Sequence, residues 1–104
     1  MTIIQEETGS NKGRYMKTMG DGSEAQLTFI NAGEDIMVID HVGVPPQFRG
    51  GGIAAQLVQH AAHEARAAGK KITPICPYAA MWFKRHPEWS DLLTEVMDAS
   101  LRLW

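Results

Sequence analysis

The sequence predicts an α+β domain with a mixed sheet, in which an antiparallel meander of strands is followed by a strand–helix–strand unit. The N-terminal half alternates polar and bulky residues in short runs between turn-forming residues, which is typical of half-buried strands. An apolar run at residues 36–44 then leads into a long helical pattern and a short β-like segment at 72–76. A helical crossover of that length joins two parallel neighbours in a sheet.

The meander contains three strand candidates before residue 36. Residues 3–5 are a weak candidate, whereas residues 14–18 and 25–30 alternate clearly between polar and bulky side chains. Turn-forming residues separate these runs and predict turns at residues 8–13, 20–23 and 31–35.

The strand at residues 36–44 differs from the first three because it is apolar on both faces. In an extended chain Met37 and Ile39 point to one face, and the three valines of the run point to the other. Strands of that kind lie inside a sheet and are covered on both sides. We therefore expect this strand to be central and covered on both faces.

A helix is predicted from about residue 51 to residue 68, with a stop at Gly69. Its apolar residues recur at a spacing that places them on one face, and polar residues lie off that face. The apolar stripe consists of Ile53, Leu57, Val58, Ala61, Ala65 and Ala68.

Short elements are predicted after this helix. Residues 72–76 are β-like, although Pro74 indicates a bulge or a sheet edge because proline cannot donate a ladder hydrogen bond. Residues 79–85 suit a short helix and residues 86–89 a turn. Ser90 is a candidate N-cap for a last helix, and the aromatic residues nearby are expected to close the core.

Size and composition limit the functional classes. With 104 residues the chain fits one domain, residues 1–104. A net charge of −2 gives no electrostatic argument for nucleic-acid binding, and no apolar run reaches the roughly 20 residues that a membrane helix needs. The N-terminus lacks the features of a signal peptide, and the one cysteine cannot form an internal disulfide. These observations predict a cytoplasmic protein and leave its oligomeric state open.

The most informative segment is the glycine-rich turn between the apolar strand and the long helix, Arg49-Gly50-Gly51-Gly52-Ile53-Ala54. The first N–H groups of a helix have no intrahelical acceptor, and the helix dipole makes this end positive. Glycines let the backbone approach a ligand without a Cβ in the way. The segment therefore predicts a phosphate site.

Two common phosphate-binding motifs fit this turn poorly. A P-loop places lysine and then serine or threonine directly after its glycines, where this chain has Ile53 and Ala54. The spacing Gly50-x-Gly52-x-x-Ala55 does match a dinucleotide-binding fingerprint. That fingerprint also needs an acidic residue about 20 positions on, and residues 72–76 contain none. Neither a nucleoside triphosphate nor NAD is therefore the expected ligand.

The same turn resembles the coenzyme A loop of the GNAT superfamily of acyltransferases. The family motif is Q/R-x-x-G-x-G/A, and Gln47-x-x-Gly50-x-Gly52 fits it between the expected strand and helix. Further matching segments follow in the family's order, among them His41-x-x-Val44-Pro45-Pro46, Cys76-Pro77-Tyr78 and His86-Pro87-Glu88-Trp89. From about residue 11 to residue 93 the chain is similar to small, single-domain GNAT-like N-acetyltransferases, and residues 94–104 lie outside the resemblance.

The resemblance implies a three-layer α/β fold and acetyl-coenzyme A as the cofactor. Backbone amides of about residues 49–54 would hold the pyrophosphate, and the pantetheine arm would lie between the strands at residues 40–44 and 72–76. The residues implied in cofactor binding are Val42, Val44, Gln47, Arg49, Gly50, Gly51, Gly52, Ile53 and Ala54.

Acetyl transfer from a thioester to an amine needs a base for the amine, a donor for the oxyanion and a proton for the leaving thiolate. The resemblance assigns the oxyanion contact to a backbone N–H at residues 40–44. For proton transfer the candidates are His41, Cys76 and Tyr78, which lie at strand ends near the implied thioester. His41 and Cys76 also have structural interpretations, as a histidine bonded to a turn and as a small buried apolar residue.

No metal site is predicted from the histidines of the long helix. His60, His63 and Glu64 form an H-x-x-H-E pattern, but its order differs from that of zinc proteases and it lacks a third ligand nearby in sequence. Surface histidines are the simpler interpretation.

Two functional hypotheses remain. GNAT enzymes usually carry two helices between their first two strands, where this chain has only residues 8–13, so the resemblance implies a shallow, open acceptor groove. In the first hypothesis the chain acetylates a primary amine on a large acceptor such as a protein. In the second it is a non-catalytic acyl-coenzyme A-binding module or the subunit of a partner.

Overall fold

A computed structural model describes residues 3–94 of the chain. Within them, strands β1 to β5 are Ile4–Gly9, Lys12–Thr18, Glu24–Ala32, Ile36–Gly43 and Lys71–Pro74. Helices α1 and α2 are Ile53–Ala68 and Pro77–Arg85, and short 3-10 helices are Pro46–Phe48 and Pro87–Leu92. No helix in this described part is long and apolar enough to cross a membrane. The tail from residue 95 onward lies outside the described residues.

The strands form one sheet in the order β1-β2-β3-β4-β5. The first three pairings are antiparallel, and β4 pairs with β5 in parallel. This confirms the predicted mixed sheet, with an N-terminal meander followed by a βαβ unit. Only Ser10 and Asn11 separate β1 from β2, and Asn11 has a φ of 62°, a conformation that asparagine tolerates better than most residues.

The core lies between α1 and one face of the sheet, because α1 contacts β2, β3, β4 and β5. Alternate strand residues point at the helix and are buried, as the sequence pattern predicted; examples are Tyr15, Leu27, Phe29, Ile39 and Ile72. Most of the predicted helical stripe is buried as well, and the buried residues of α1 are Leu57, Val58, Ala61, Ala62 and Ala65. The helix ends at Gly69 in a left-handed conformation, with a φ of 72°.

Helix α2 closes the core next to α1, β4 and β5. Trp82 and Phe83 are buried in it, with their ring centroids 5.0 Å apart in an edge-to-face contact. Trp89 of the following 3-10 helix is also buried, with its ring centroid 6.4 Å from that of Trp82. These aromatic residues therefore close the core as predicted; Trp104 lies outside the described residues.

The opposite face of the sheet is not covered by any helix of residues 3–94. Val38 and Thr28 on this face are only half-buried, and His41 is exposed, whereas Met37 and Ile39 on the helix face are buried. The expectation that β4 is covered on both faces is therefore wrong for one face. Of the three valines of the run, only Val38 lies on the face opposite α1. The extra residue Asp40 shifts the register, so Val42 pairs with the buried Leu27. Val42 and Val44 pack against the core. A strict alternation in sequence does not reveal such a bulge, which is why the pattern misled.

The C-terminal elements begin earlier than predicted. β5 ends at Pro74, and Cys76 is the residue that precedes α2, whose first residue is Pro77. The last element is a 3-10 helix that runs through Ser90 and begins at Pro87, so Ser90 is not an N-cap. Proline has a φ that suits the first helical position and needs no acceptor there, which explains why α2 begins at Pro77 and the last 3-10 helix at Pro87.

Candidate functional site

A cleft of ≈ 600 Å³ opens at the C-terminal end of β4. Three parts of the chain form its walls: the end of β4, the glycine-rich loop with the first turn of α1, and the first turn of α2. Its lining residues are His41, Val42, Gly43, Val44, Phe48, Arg49, Gly50, Gly52, Ile53, Ala54 and Tyr78. The βαβ crossover creates this position, because ligands in such sheets bind beyond the carboxyl ends of parallel strands.

The glycine-rich loop offers a row of free backbone donors. Within residues 3–94, no N–H from Gly50 to Ala55 donates to a protein acceptor, and the first bond of the helix runs from the Gln56 N–H to the Gly52 carbonyl at 3.0 Å. Gly50 and Gly52 have φ values of 85° and 81°, which non-glycine residues rarely adopt. The loop therefore presents free N–H groups in an arrangement that suits an anion, and this arrangement depends on the two glycines.

Basic side chains add positive charge near these amides. Arg49 is exposed, and its Nε donates to the Val44 carbonyl at 3.2 Å, which leaves its terminal nitrogens for an anion. Lys17 of β2 is only 8% exposed, and its ammonium donates to Oε1 of Gln56 in the first turn of α1 at 2.6 Å. No acidic side chain of the described residues lies within ion-pair distance of Lys17. A buried cation without a counter-ion therefore lies beside the first turn of α1.

The two parallel strands separate where the cleft begins. Their last paired residues are Ile39 and Pro74, and beyond them the N–H groups of Ile75 and Cys76 both donate to the Ile39 carbonyl, at 3.0 and 3.1 Å. From residue 40 to residue 44, therefore, the edge of β4 that faces β5 has no strand partner among the described residues. An extended chain-like ligand could pair with this free edge.

His41 lies at the wall of the cleft, and its position depends on a glycine. A Cβ built on Gly43 would lie 2.9 Å from His41 Nε2, a distance that real contacts essentially never show. The imidazole therefore lies against the backbone of Gly43, in space that any other residue at position 43 would fill. Gly43 and Phe48 are cleft residues that the sequence analysis did not select.

The other two proton-transfer candidates, Tyr78 and Cys76, lie in different surroundings. Tyr78 is 37% exposed and lines the cleft, whereas Cys76 is 6% exposed and does not. Cys76 contributes its N–H to the Ile39 carbonyl and its side chain to the core. The structure thus brings His41 and Tyr78 to one cleft and places Cys76 in the core, off the cleft lining.

Two residues of the predicted cofactor loop also lie off the lining. Gly51 is not part of the cleft wall, and the side-chain amide of Gln47 donates to Oδ2 of Asp21 at 2.9 Å. Asp21 belongs to the turn between β2 and β3, so Gln47 ties the loop to that turn. Asp21 also accepts the backbone N–H of Ser23 at 3.0 Å.

The sequence of the chain matches a known protein family. The sequence model of the GCN5-related N-acetyltransferases matches residues 14–92. The chain belongs to this family. It is accordingly an enzyme with the GNAT fold, and its general activity is N-acetyl transfer.

The acetyltransferase also resembles a solved structure in fold. An NMR structure of a GCN5-like protein from Staphylococcus aureus aligns with it at a TM-score of 0.64 and 22% sequence identity. The alignment covers 89% of this chain and 87% of that chain, so the two share nearly the whole fold. No curated protein matches the sequence.

The link between Gln47 and Asp21 predicts an acid-sensitive loop in the acetyltransferase. Hydrogen bonds from Ser23 and then Gln47 lower the pKa of Asp21 from 3.8 to about 2. Because the folded-state pKa is the lower one, the ionised carboxylate stabilises the fold above about pH 4, and this contribution disappears as the pH falls towards 2. We expect Asp21→Asn to lose less stability than the wild type between pH 5 and pH 2 in urea unfolding. Equal losses in the two proteins would contradict this role of Asp21.

Proposed function

We propose that the chain is an acetyl-coenzyme A-dependent N-acetyltransferase that modifies a primary amine on a large acceptor, in the cytoplasm. The observation that carries the proposal is the continuity of two binding surfaces. Residues with free amides, Gly50 and Gly52 to Ala54, line the same cleft as the end of β4, whose edge has no strand partner among residues 3–94. The first surface suits a pyrophosphate, and the second suits an extended arm with amide groups.

The cleft residues have distinct roles in this proposal. The amides of the loop, helped by Arg49 and by the buried charge of Lys17, would bind the phosphates, and the edge of β4 would bind the pantetheine arm. Acetyl-coenzyme A supplies the activated acetyl group as a thioester. The imidazole of His41 takes a proton from the acceptor amine at Nε2, because histidine changes protonation near neutral pH. The Tyr78 hydroxyl donates a proton to the departing thiolate, and a free N–H of β4 stabilises the oxyanion.

The open surface beside the cleft supports a large acceptor. β1 and β2 are joined by a two-residue turn, and no helix of the described residues covers the sheet face that carries His41 and Thr28. A large acceptor can therefore reach the end of the cleft across this face, whereas a small one finds few walls to hold it.

Calorimetric titration with acetyl-coenzyme A, with NAD as the control ligand, tests the proposal. We expect saturable binding of acetyl-coenzyme A and none of NAD. Release of free thiol on addition of lysine-containing peptides then distinguishes the enzyme from a binding module without turnover. Failure of acetyl-coenzyme A to bind at millimolar concentration would overturn the proposal.

Variants of the proton-transfer candidates test the mechanism. His41→Asn is expected to lower kcat by about 100-fold, the smaller end of the usual range for general acid–base catalysis, with acetyl-coenzyme A affinity unchanged. Tyr78→Phe is expected to lower kcat as well, because the phenol lines the cleft. Cys76→Ala serves as the control, since Cys76 lies off the cleft and its replacement should change stability more than kcat. A loss of kcat in Cys76→Ala as large as that in His41→Asn would contradict these assignments.

A further inference from the structure

The open face of the sheet carries an irregularity next to the cleft. Phe29 of β3 pairs with Ile39 of β4, and Thr28 pairs with His41, so Asp40 is an extra residue between two paired ones. Such a bulge changes the direction in which neighbouring side chains point. The Thr28 hydroxyl, on the open face, donates to Asp40 Oδ1 at 2.7 Å. Asp40 and His41 together lie opposite Thr28 in this bulge, so both side chains are on the open face beside that threonine.

The carboxylate of Asp40 has no cationic partner among residues 3–94. Its one hydrogen bond is the one from Thr28, and it takes part in no ion pair. The nearest cation in register is Arg14, which pairs with Thr28 across the strands. Arg14 is already used, because it bonds Glu6 at 2.7 Å and the Gln26 side chain at 2.9 Å. Asp40 is thus an exposed carboxylate without a cationic partner in this described part of the chain; it does not line the cleft itself, but it directly precedes His41, which does.

We propose that Asp40 and His41 together form the site for the acceptor's ammonium group, with Asp40 binding the charge and His41 removing the proton. This inference rests on the proposed function. Alkylamines such as the lysine side chain arrive as cations at neutral pH, because their ordinary pKa is about 10.4. The carboxylate attracts that cation to the end of the cleft, and it gives no advantage to an amine that arrives uncharged.

The ammonium loses one proton to His41 Nε2, and the resulting amine nitrogen forms a bond to the carbonyl carbon of the thioester. The carbon–sulfur bond breaks, and the sulfur takes its electron pair. The second proton of the nitrogen ends on that thiolate, by way of the Tyr78 hydroxyl, which gives one proton and regains one. His41 returns its proton to solvent, so the products are an amide, a free thiol and one proton.

The role of Asp40 predicts a selective change in acceptor recognition. With Asp40→Asn we expect KM for lysine amide to rise about fivefold, which is the upper end for an exposed ion pair of about 1 kcal/mol. The value of kcat and the affinity for acetyl-coenzyme A should stay within twofold. For trifluoroethylamine, which is largely uncharged at neutral pH, kcat/KM should not change. Added salt should raise KM for lysine amide in the wild type and have little effect in Asp40→Asn.

The matched control is Glu24→Gln, which removes the same charge from another exposed carboxylate on the same face of the sheet. It should leave KM for both amines unchanged. An equal rise of KM in Glu24→Gln would overturn the proposal, because the effect would then come from the overall field. Equal losses for lysine amide and trifluoroethylamine in Asp40→Asn would overturn it too, since they would indicate a structural role. If the wild type releases no thiol with any amine, it is the proposed function that fails, which separates the two outcomes.

Discussion

Gly52→Val is expected to weaken acetyl-coenzyme A binding at least tenfold. Gly52 has a φ of 81°, a conformation that costs an L-amino acid about 1–2 kcal/mol and a β-branched residue more. Nothing lies within 4 Å of a Cβ at this position, so the strain comes from the backbone alone. A valine relieves the strain by rotating the peptide groups that carry the free N–H donors, and about 1.4 kcal/mol corresponds to a factor of ten in affinity. Calorimetric titration with acetyl-coenzyme A measures the change.

Gly51→Ala is the matched control for this loop. Gly51 does not have a positive φ, and the atom nearest to an added Cβ is the Phe48 carbonyl oxygen at 3.5 Å, an ordinary contact. Affinity should stay within about twofold of the wild type. A comparable loss in Gly51→Ala would mean that any side chain in the loop blocks the ligand, and the explanation by backbone conformation would be wrong.

Phe83→Ala is expected to lower the free energy of unfolding by about 3–5 kcal/mol. The ring is among the largest fully buried side chains and packs edge-to-face against Trp82. Its removal leaves a cavity where α2 meets the core, and a domain of this size is usually stable by only about 5–15 kcal/mol in total. Urea unfolding with an unchanged m-value would measure the loss.

Met81→Ala tests whether the effect belongs to burial. Met81 lies two residues before Phe83 in the same helix and is 44% exposed. Its replacement should cost less than about 1 kcal/mol, because exposed positions seldom cost more. If both variants lost similar stability, the loss would come from the helix itself and not from the core.

Local patterns predicted most of the fold, because they depend on residues close in sequence. The alternation around Tyr15, Leu27 and Phe29 identified strands that bury those side chains under α1. The helical stripe and Gly69 identified α1 and its end. The glycine-rich turn likewise identified the loop of free amides, since a strand, glycines and a helix start are all local features.

Other features depend on which distant segments meet, and the sequence pattern does not contain that information. The bond between Gln47 and Asp21 and the bond between Lys17 and Gln56 join segments far apart in the chain. The bulge at Asp40 exists only relative to the register of β3. Cys76 appeared equivalent to His41 and Tyr78 by its place at a strand end, and only the folded structure shows that its side chain belongs to the core and not to the cleft lining.

The order of the strands in the sheet has a consequence for how the molecule folds. Strands β1 to β4 are neighbours both in space and along the chain, so each of their pairings closes a short loop at a small entropic cost. The pairing of β4 with β5 has to close over the whole of α1, and non-local contacts of that kind form slowly. The cleft lies where these two strands meet and separate. The cleft is therefore completed by the strand pairing that spans α1, and a ligand that bound there would selectively stabilise the fully folded chain over species that have formed only the meander.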